Sequence, residues 1–179
     1  LDAMRRRACF WSIIPAFVFA SAMYLIMQTL VYRFDGRMML WSLANLSVMG
    51  LLLLPPVIYA AWRRFRPIYE LCSSPSDSSA QELLFHLERH PLFVSLLVLV
   101  VVSVLSLESG LLWFLRGEML GIITLCYIST GLAVGVAASF LEFFVLHRIL
   151  RPLRGAFYPG LKSLGGVPAI TISSRITAL

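Results

Sequence analysis

Polar and apolar positions along this chain do not alternate; they fall into long blocks. Four blocks are mostly apolar: 8–32, free of charge until Arg33; 38–62, without a charged side chain; 91–115, interrupted only by Glu108; and 119–146, whose one acid is Glu142. About 20 apolar residues in a helix cross a hydrocarbon core of roughly 30 Å. The runs are too long for barrel strands and lack their period of two, so the pattern predicts membrane helices. Arg33-Phe34-Asp35-Gly36-Arg37 and Arg116-Gly117-Glu118 are short connectors, the first with Asp-Gly as its turn chemistry. Residues 63–90 form a longer, polar, Ser-rich connection. Within it, Asp77-Ser78-Ser79-Ala80-Gln81-Glu82 reads as a capped helix start. Leu83, Leu84 and Leu87 then predict a short amphipathic helix on the membrane surface or against the bundle.

The predicted fold class is therefore all-α integral membrane, with four helices in two transmembrane hairpins. The units are a first hairpin over 8–62, a linker over 63–90, a second hairpin over 91–147 and a juxtamembrane segment over 148–179.

Composition agrees with lipid as the solvent. Of the 179 residues, 59% are hydrophobic and 13% charged, against about 45–50% and 25% in soluble domains. The mean hydropathy is +0.85. This excludes a soluble enzyme, a disordered tail and a secreted disulfide scaffold. The net charge of +6 reads as topology rather than nucleic-acid binding, because the basic residues stand between apolar runs. Twelve of the fifteen lie before the first helix, in the linker or after the fourth, leaving Arg33, Arg37 and Arg116 on the other side. The positive-inside bias then predicts a multi-pass protein of the inner (plasma) membrane with both ends cytoplasmic. The apolar run after Arg5, Arg6 and Arg7 exceeds a signal peptide's core and lacks a convincing cleavage site, so it is expected to be a retained anchor.

The chain also repeats itself. Arg63-Arg64-Phe65-Arg66-Pro67-Ile68 and Arg148-Ile149-Leu150-Arg151-Pro152-Leu153 both fit R-x-x-R-P-[IL], at an offset of 85 residues. The same offset relates Gly50 to Gly135 and His90 to Arg175, which suggests a third hairpin after 179 and a six-helix parent bundle. Proline lacks an N–H and disfavours helix at the residue before it. Arg63, Arg66, Pro67, Arg148, Arg151 and Pro152 are thus expected to end the helices at the headgroups, as ordinary stops or as signal-transfer joints.

The search for chemistry yields little. Cys9, Cys72 and Cys126 are scattered, so neither a disulfide nor a thiol oxidoreductase is expected. His86 and His90 are spaced i, i+4, but a surface helix accounts for them better than a metal does. No phosphate-loop, dinucleotide or nucleophile-elbow motif occurs, and no catalytic residue, metal or cofactor is expected. Gly131, Gly135 and Ser139 form a small-residue stripe suited to helix packing or dimerisation. Glu108 and Glu142 are the intramembrane polar suspects, one expected near each surface. Pro55-Pro56 should kink or break the second helix.

The paired hairpins with Arg-Pro exits resemble the six-helix membrane anchors of mycobacterial-type, HAMP-containing class III adenylyl cyclases, and the stretch His147-Arg148-Ile149-Leu150-Arg151-Pro152 resembles a HAMP entry. The Gly and Pro residues after Pro152 depart from HAMP heptads. The resemblance implies a sensory and anchoring module that regulates a cytoplasmic cyclase, and hence cAMP synthesis, as a homodimer held by a downstream effector domain. The connectors are too short for an external ligand pocket, so the expected partners are membrane lipid and a lipid or fatty-acid ligand, without nucleic acid. The alternative is a small four-helix transporter or exporter subunit.

Overall fold

The computed structural model describes residues 2–73 and 79–163. The described residues are helical apart from short connectors and contain no strand. Helix α1 (Asp2–Arg6) runs through a π-helical turn (Arg7–Trp11) into α2 (Ile13–Leu30); α3 (Gly36–Ser73), α4 (Ser79–Leu115) and α5 (Gly121–Ser163) follow. Four helical stretches are long and apolar enough to cross a membrane: Arg7–Leu30, Gly36–Cys72, Glu82–Leu115 and Gly121–Gly155. Their outward faces suit hydrocarbon, with Leu51 78% exposed and Ile122 74%. These features are compatible with a multi-pass membrane protein.

The helices pack as an antiparallel bundle in which α2 lies beside α3 and α5, α4 lies beside α3 and α5, and α2 and α4 meet across the middle. Of the four adjacent pairs, α4–α5 is the most intimate and α2–α3 the least. Small residues explain the difference. Gly110, Gly131 and Gly135 sit in the α4–α5 seam, where added Cβ atoms would meet Ile128, Ser106 and Val102. The corresponding positions of the first hairpin are Leu25, Leu46 and Gly50, so bulk holds α2 and α3 apart.

The structure differs from the sequence expectation at the prolines. The apolar blocks 38–62 and 91–115 are parts of longer helices: α3 runs through Pro55, Pro56 and Pro67, and α4 through Pro91. Helix α5 likewise continues through Pro152 and Gly155. A proline forfeits one backbone hydrogen bond, and here tertiary packing outweighs that loss. Phe65, Ile68, Leu83, Leu87 and Leu150 are all buried in one core cluster with Ala8, Cys9 and Ile13. The amphipathic stripe is therefore the first part of α4, packed into the bundle, and does not lie along a surface. At about 1.5 Å per residue, the 38 residues of α3 make a rod of about 57 Å, far beyond a hydrocarbon core of roughly 30 Å. The proposed cap at Asp77-Ser78, Arg175 and the start of a third hairpin lie outside the described residues.

The first connector also works differently from a simple Asp-Gly turn. Asp35 Oδ1 accepts the Met38 N–H at 2.7 Å, which caps α3. The left-handed residue is Arg33, at φ 50°, and its counterpart in the second connector is Gly117 at φ 72°.

The 85-residue repeat is built into the architecture. Helices α2 and α4 end at Leu30 and Leu115, and α3 and α5 begin at Gly36 and Gly121. Interior positions correspond as well: Ile13 with Val98, Ala20 with Leu105, Ala61 with Leu146, Phe65 with Leu150, and Val57 with Glu142, all buried. The two hairpins enter from the same end, so they are parallel repeats.

Candidate functional site in the bundle interior

Two polar clusters occupy the inside of the bundle. The first lies in the half that carries most of the arginines. Glu142 follows Ala138 and precedes Leu146 on the buried face of α5, and all three are fully buried. Among the described residues, neither carboxyl oxygen of Glu142 has a hydrogen-bond partner. Across from it stands Ser12, a polar side chain near enough to act on the carboxyl. Ser12 is placed by the π-helical turn: its N–H reaches back five residues to the Arg7 carbonyl at 3.1 Å, and its hydroxyl donates to the Ala8 carbonyl at 2.8 Å. Such turns are rare and frequently mark functional positions. Further toward the arginine-rich end, His90 is fully buried, with both ring nitrogens unpartnered and its ring edge-on to Phe65 at 5.2 Å.

Cations close this end. The Arg5 guanidinium lies 3.7 Å over the Trp62 ring, and Arg89 lies 3.9 Å over Phe85. Arg154 donates to the His147 ring at 2.8 Å and to the Leu87 carbonyl at 3.1 Å, tying α5 to α4. The repeated motifs present their charges outward instead. Arg63, Arg66, Arg148 and Arg151 are exposed, as is Pro152, while Pro67 is half-buried. Arg66 pairs with Glu70 at 2.6 Å along its own helix. Arg148 stays outside while Glu142 stays inside, so the two do not pair.

The second cluster fills the half nearer the short connectors. Gln28 Nε2 donates to the Tyr127 hydroxyl at 2.6 Å, and the Tyr32 hydroxyl and Thr130 Oγ1 are hydrogen-bonded at 3.0 Å. Tyr24 meets Tyr127 edge-on at 5.2 Å, and Phe34 stacks on Tyr127 at 6.0 Å and packs on Trp113. Glu108, the other acid expected within an apolar block, accepts from Asn45 Nδ2 at 2.9 Å and from Ser109 Oγ at 3.3 Å, and the Asn45 bond joins α3 to α4. Glu108 is thus hydrogen-bonded through Oε2, where neither oxygen of Glu142 is. Substituting Tyr127 by phenylalanine leaves Gln28 Nε2 without its acceptor. Hydrogen bonds between membrane helices average about 0.6 kcal/mol and reach about 1.7. A fall in melting temperature of a few degrees is expected in detergent, read by circular dichroism.

At the connector end a cleft of about 340 Å³ is lined by Asp35, Arg37, Trp41, Trp113, Arg116 and Glu118. Arg116 lies 4.6 Å over the Trp41 ring there. Tryptophan with arginine is the composition of a membrane–water boundary.

Of the residues singled out from sequence, Gly131 and Gly135 face α4, so their small size serves packing within the chain, and Ser139 is half-buried with its hydroxyl bonded to the Val136 carbonyl at 2.8 Å. Ser12, Asn45 and the Tyr24–Gln28–Tyr127 group were not signalled, and His90, expected on a surface helix, is instead buried because α3 brings Phe65 against it. The repeat offset contained the missing signal for Glu142, because it sets that acid against Val57. Comparison with protein-family models, curated proteins and solved structures found no match.

Proposed function

We propose that this chain is a membrane-embedded sensory and anchoring module that passes changes of helix packing in the bilayer to its arginine-rich end. One observation carries the reading. Helices α3, α4 and α5 continue past their apolar blocks as unbroken, mutually packed rods. A tilt or shift imposed in the apolar half must therefore appear at the other end, because a close-packed core transmits strain. Pro67 and Pro152 are weak points within the rods, each lacking one backbone hydrogen bond. They make Arg63, Arg66, Arg148 and Arg151 the places where motion is redirected. A ligand such as a lipid or fatty acid acts on such a module only through unequal affinity for two packings. The effector that the Arg-Pro stretches suggest is a cytoplasmic class III cyclase, and the membrane that the arginine bias suggests is the inner one.

The test joins the chain to a cyclase catalytic domain and measures cAMP as lipid composition is varied. Replacing Pro152 by alanine restores a hydrogen bond and raises helix propensity by about 3 kcal/mol. Insertion and helicity should be unchanged, while the lipid-dependent change in cAMP output shrinks several-fold. Identical regulation in both forms overturns the reading. A second reading, a small four-helix transporter, is favoured by the parallel repeats and by the interior position of Glu142. Solute movement into vesicles containing the chain, absent from empty ones, would select it.

A further inference from the structure

Glu142 is the most anomalous residue of the bundle, and three independent observations converge on it. It is fully buried with both carboxyl oxygens unpartnered. The equivalent interior position of the first hairpin is Val57, also buried, so the fold fills this site without an acid. The facing helix departs from regular α geometry at Arg7–Trp11, just where Ser12 comes opposite the carboxyl. A carboxylate in apolar surroundings without a partner is strongly disfavoured, whereas the neutral acid is tolerated far better. Because the side chain is wholly enclosed, a proton is the cation that reaches its oxygens without displacing the neighbours.

We propose that Glu142 is a reversible proton-binding site in the bundle. With the proton bound, the arginine-rich half closes around the neutral acid in the packing described above. On release the proton passes to water and no other bond changes. The carboxylate left behind requires hydration, and α5 separates from the first helix at the π-helical turn, where the backbone is least regular. The site stands on burial and on the repeat, and does not depend on what the bundle relays.

Other groups of the same region are distinguishable from it. The first helix contributes Ser12, the buried thiol of Cys9, and Arg5. Helix α4 contributes His90 and Ser95, both buried, and α3 contributes Arg64, which acts on His90. His147 lies on α5 itself and is engaged by Arg154. His90 and His147 gain charge on binding a proton, opposite to Glu142, so their titration favours opening as pH falls. Opening as pH rises is the signature of the acid.

The experiment uses the full chain in nanodiscs of neutral lipid, with Glu142→Gln as the neutral mimic. Infrared spectra should show a protonated-carboxyl stretch at neutral pH that is absent from the variant and is lost from the native chain as pH rises. Hydrogen exchange over 8–16 and 134–150, corrected for intrinsic rate, should lose about tenfold protection per pH unit above that transition. The variant should remain protected throughout. Glu142→Val, which copies the first hairpin, should fold and behave as the glutamine variant does, giving a second test if glutamine packs poorly. No carboxyl band attributable to Glu142, a band that never titrates while the chain is folded, or equal loss of protection in native and substituted chains would each overturn the proposal.

Discussion

Replacing Gly131 by valine should lower the melting temperature of the purified chain by about 6–12 °C and separate α4 from α5. An added Cβ at this position overlaps the Ser106 hydroxyl and comes within 2.5 Å of the Ser106 Cβ and 3.2 Å of the Tyr24 ring. Ser106 cannot swing away cheaply: it is fully buried, and its hydroxyl is bonded to the Val102 carbonyl at 2.8 Å. The backbones themselves must part. Overpacking a tight site costs about 1–3 kcal/mol, and a chain of this size loses about 2–4 °C for each. The upper end applies because helices in lipid are held by van der Waals contact, with no hydrophobic effect between them to compensate for lost fit. Gly135→Ala is milder, since its Cβ would lie 3.3 Å from a Val102 methyl, and at Gly155 nothing among the described residues lies within 4 Å. Gly155→Ala should leave the transition unchanged or raise it slightly through helix propensity, by at most about 1 kcal/mol. Thermal melts of the three variants in one detergent check the order. Equal transitions for Gly131→Val and the native chain would mean that the α4–α5 seam is not close-packed.

The apolar blocks announced the four helices because hydrocarbon demands about 20 apolar residues in succession, a constraint so strong that composition alone reveals it. The connectors, the repeat and the gathering of arginines at one end were legible for the same reason. Where the helices stop was not legible. Pro67 and Pro152 stand beside arginines and carry the local signals of an ending, yet α3 and α5 run through both. The deciding energy is the burial of Phe65, Ile68, Leu83, Leu87 and Leu150 against one another. That information is distributed over three helices, and no single window contains it. The interior of the site was hidden in the same manner. His90 has the sequence surroundings of a surface histidine, with Glu88 and Arg89 beside it, and only the approach of α3 buries it against Phe65. The π-helical turn at Arg7–Trp11 was not announced by the sequence; it coincides with the packing of Ala8, Cys9 and Ile13 into the same cluster. Glu142 was visible as an acid in an apolar run, whereas its lack of a partner was visible only in three dimensions.

Phe65→Ala should be the most damaging truncation at the arginine-rich end, costing about 3–5 kcal/mol, as expected for a buried aromatic. Phe65 is fully exposed to neither lipid nor water in the folded chain; it is completely buried, in contact with His90 and the core cluster of α3, α4 and the first helix. On the membrane placement proposed above, Phe65, which follows Arg63 and Arg64, lies where water replaces hydrocarbon, and apolar burial there carries its full worth of about 25 cal/mol per Å². Leu51→Ala is the matched control from the apolar half: that side chain is 78% exposed, and its loss should be nearly silent. The damage should also spread. If the rods form one packed body beyond the apolar blocks, the cavity left at Phe65 weakens its partners, and hydrogen exchange should quicken over 83–90 of α4 and 146–153 of α5 as well as over 63–68. Exchange that quickens over 63–68 alone would mean that each helix leaves the bilayer independently. A bundle of independent ends has no means of carrying a rearrangement from its apolar half to Arg148, Arg151 and Pro152, so this one measurement tests both the packing and the relay that depends on it.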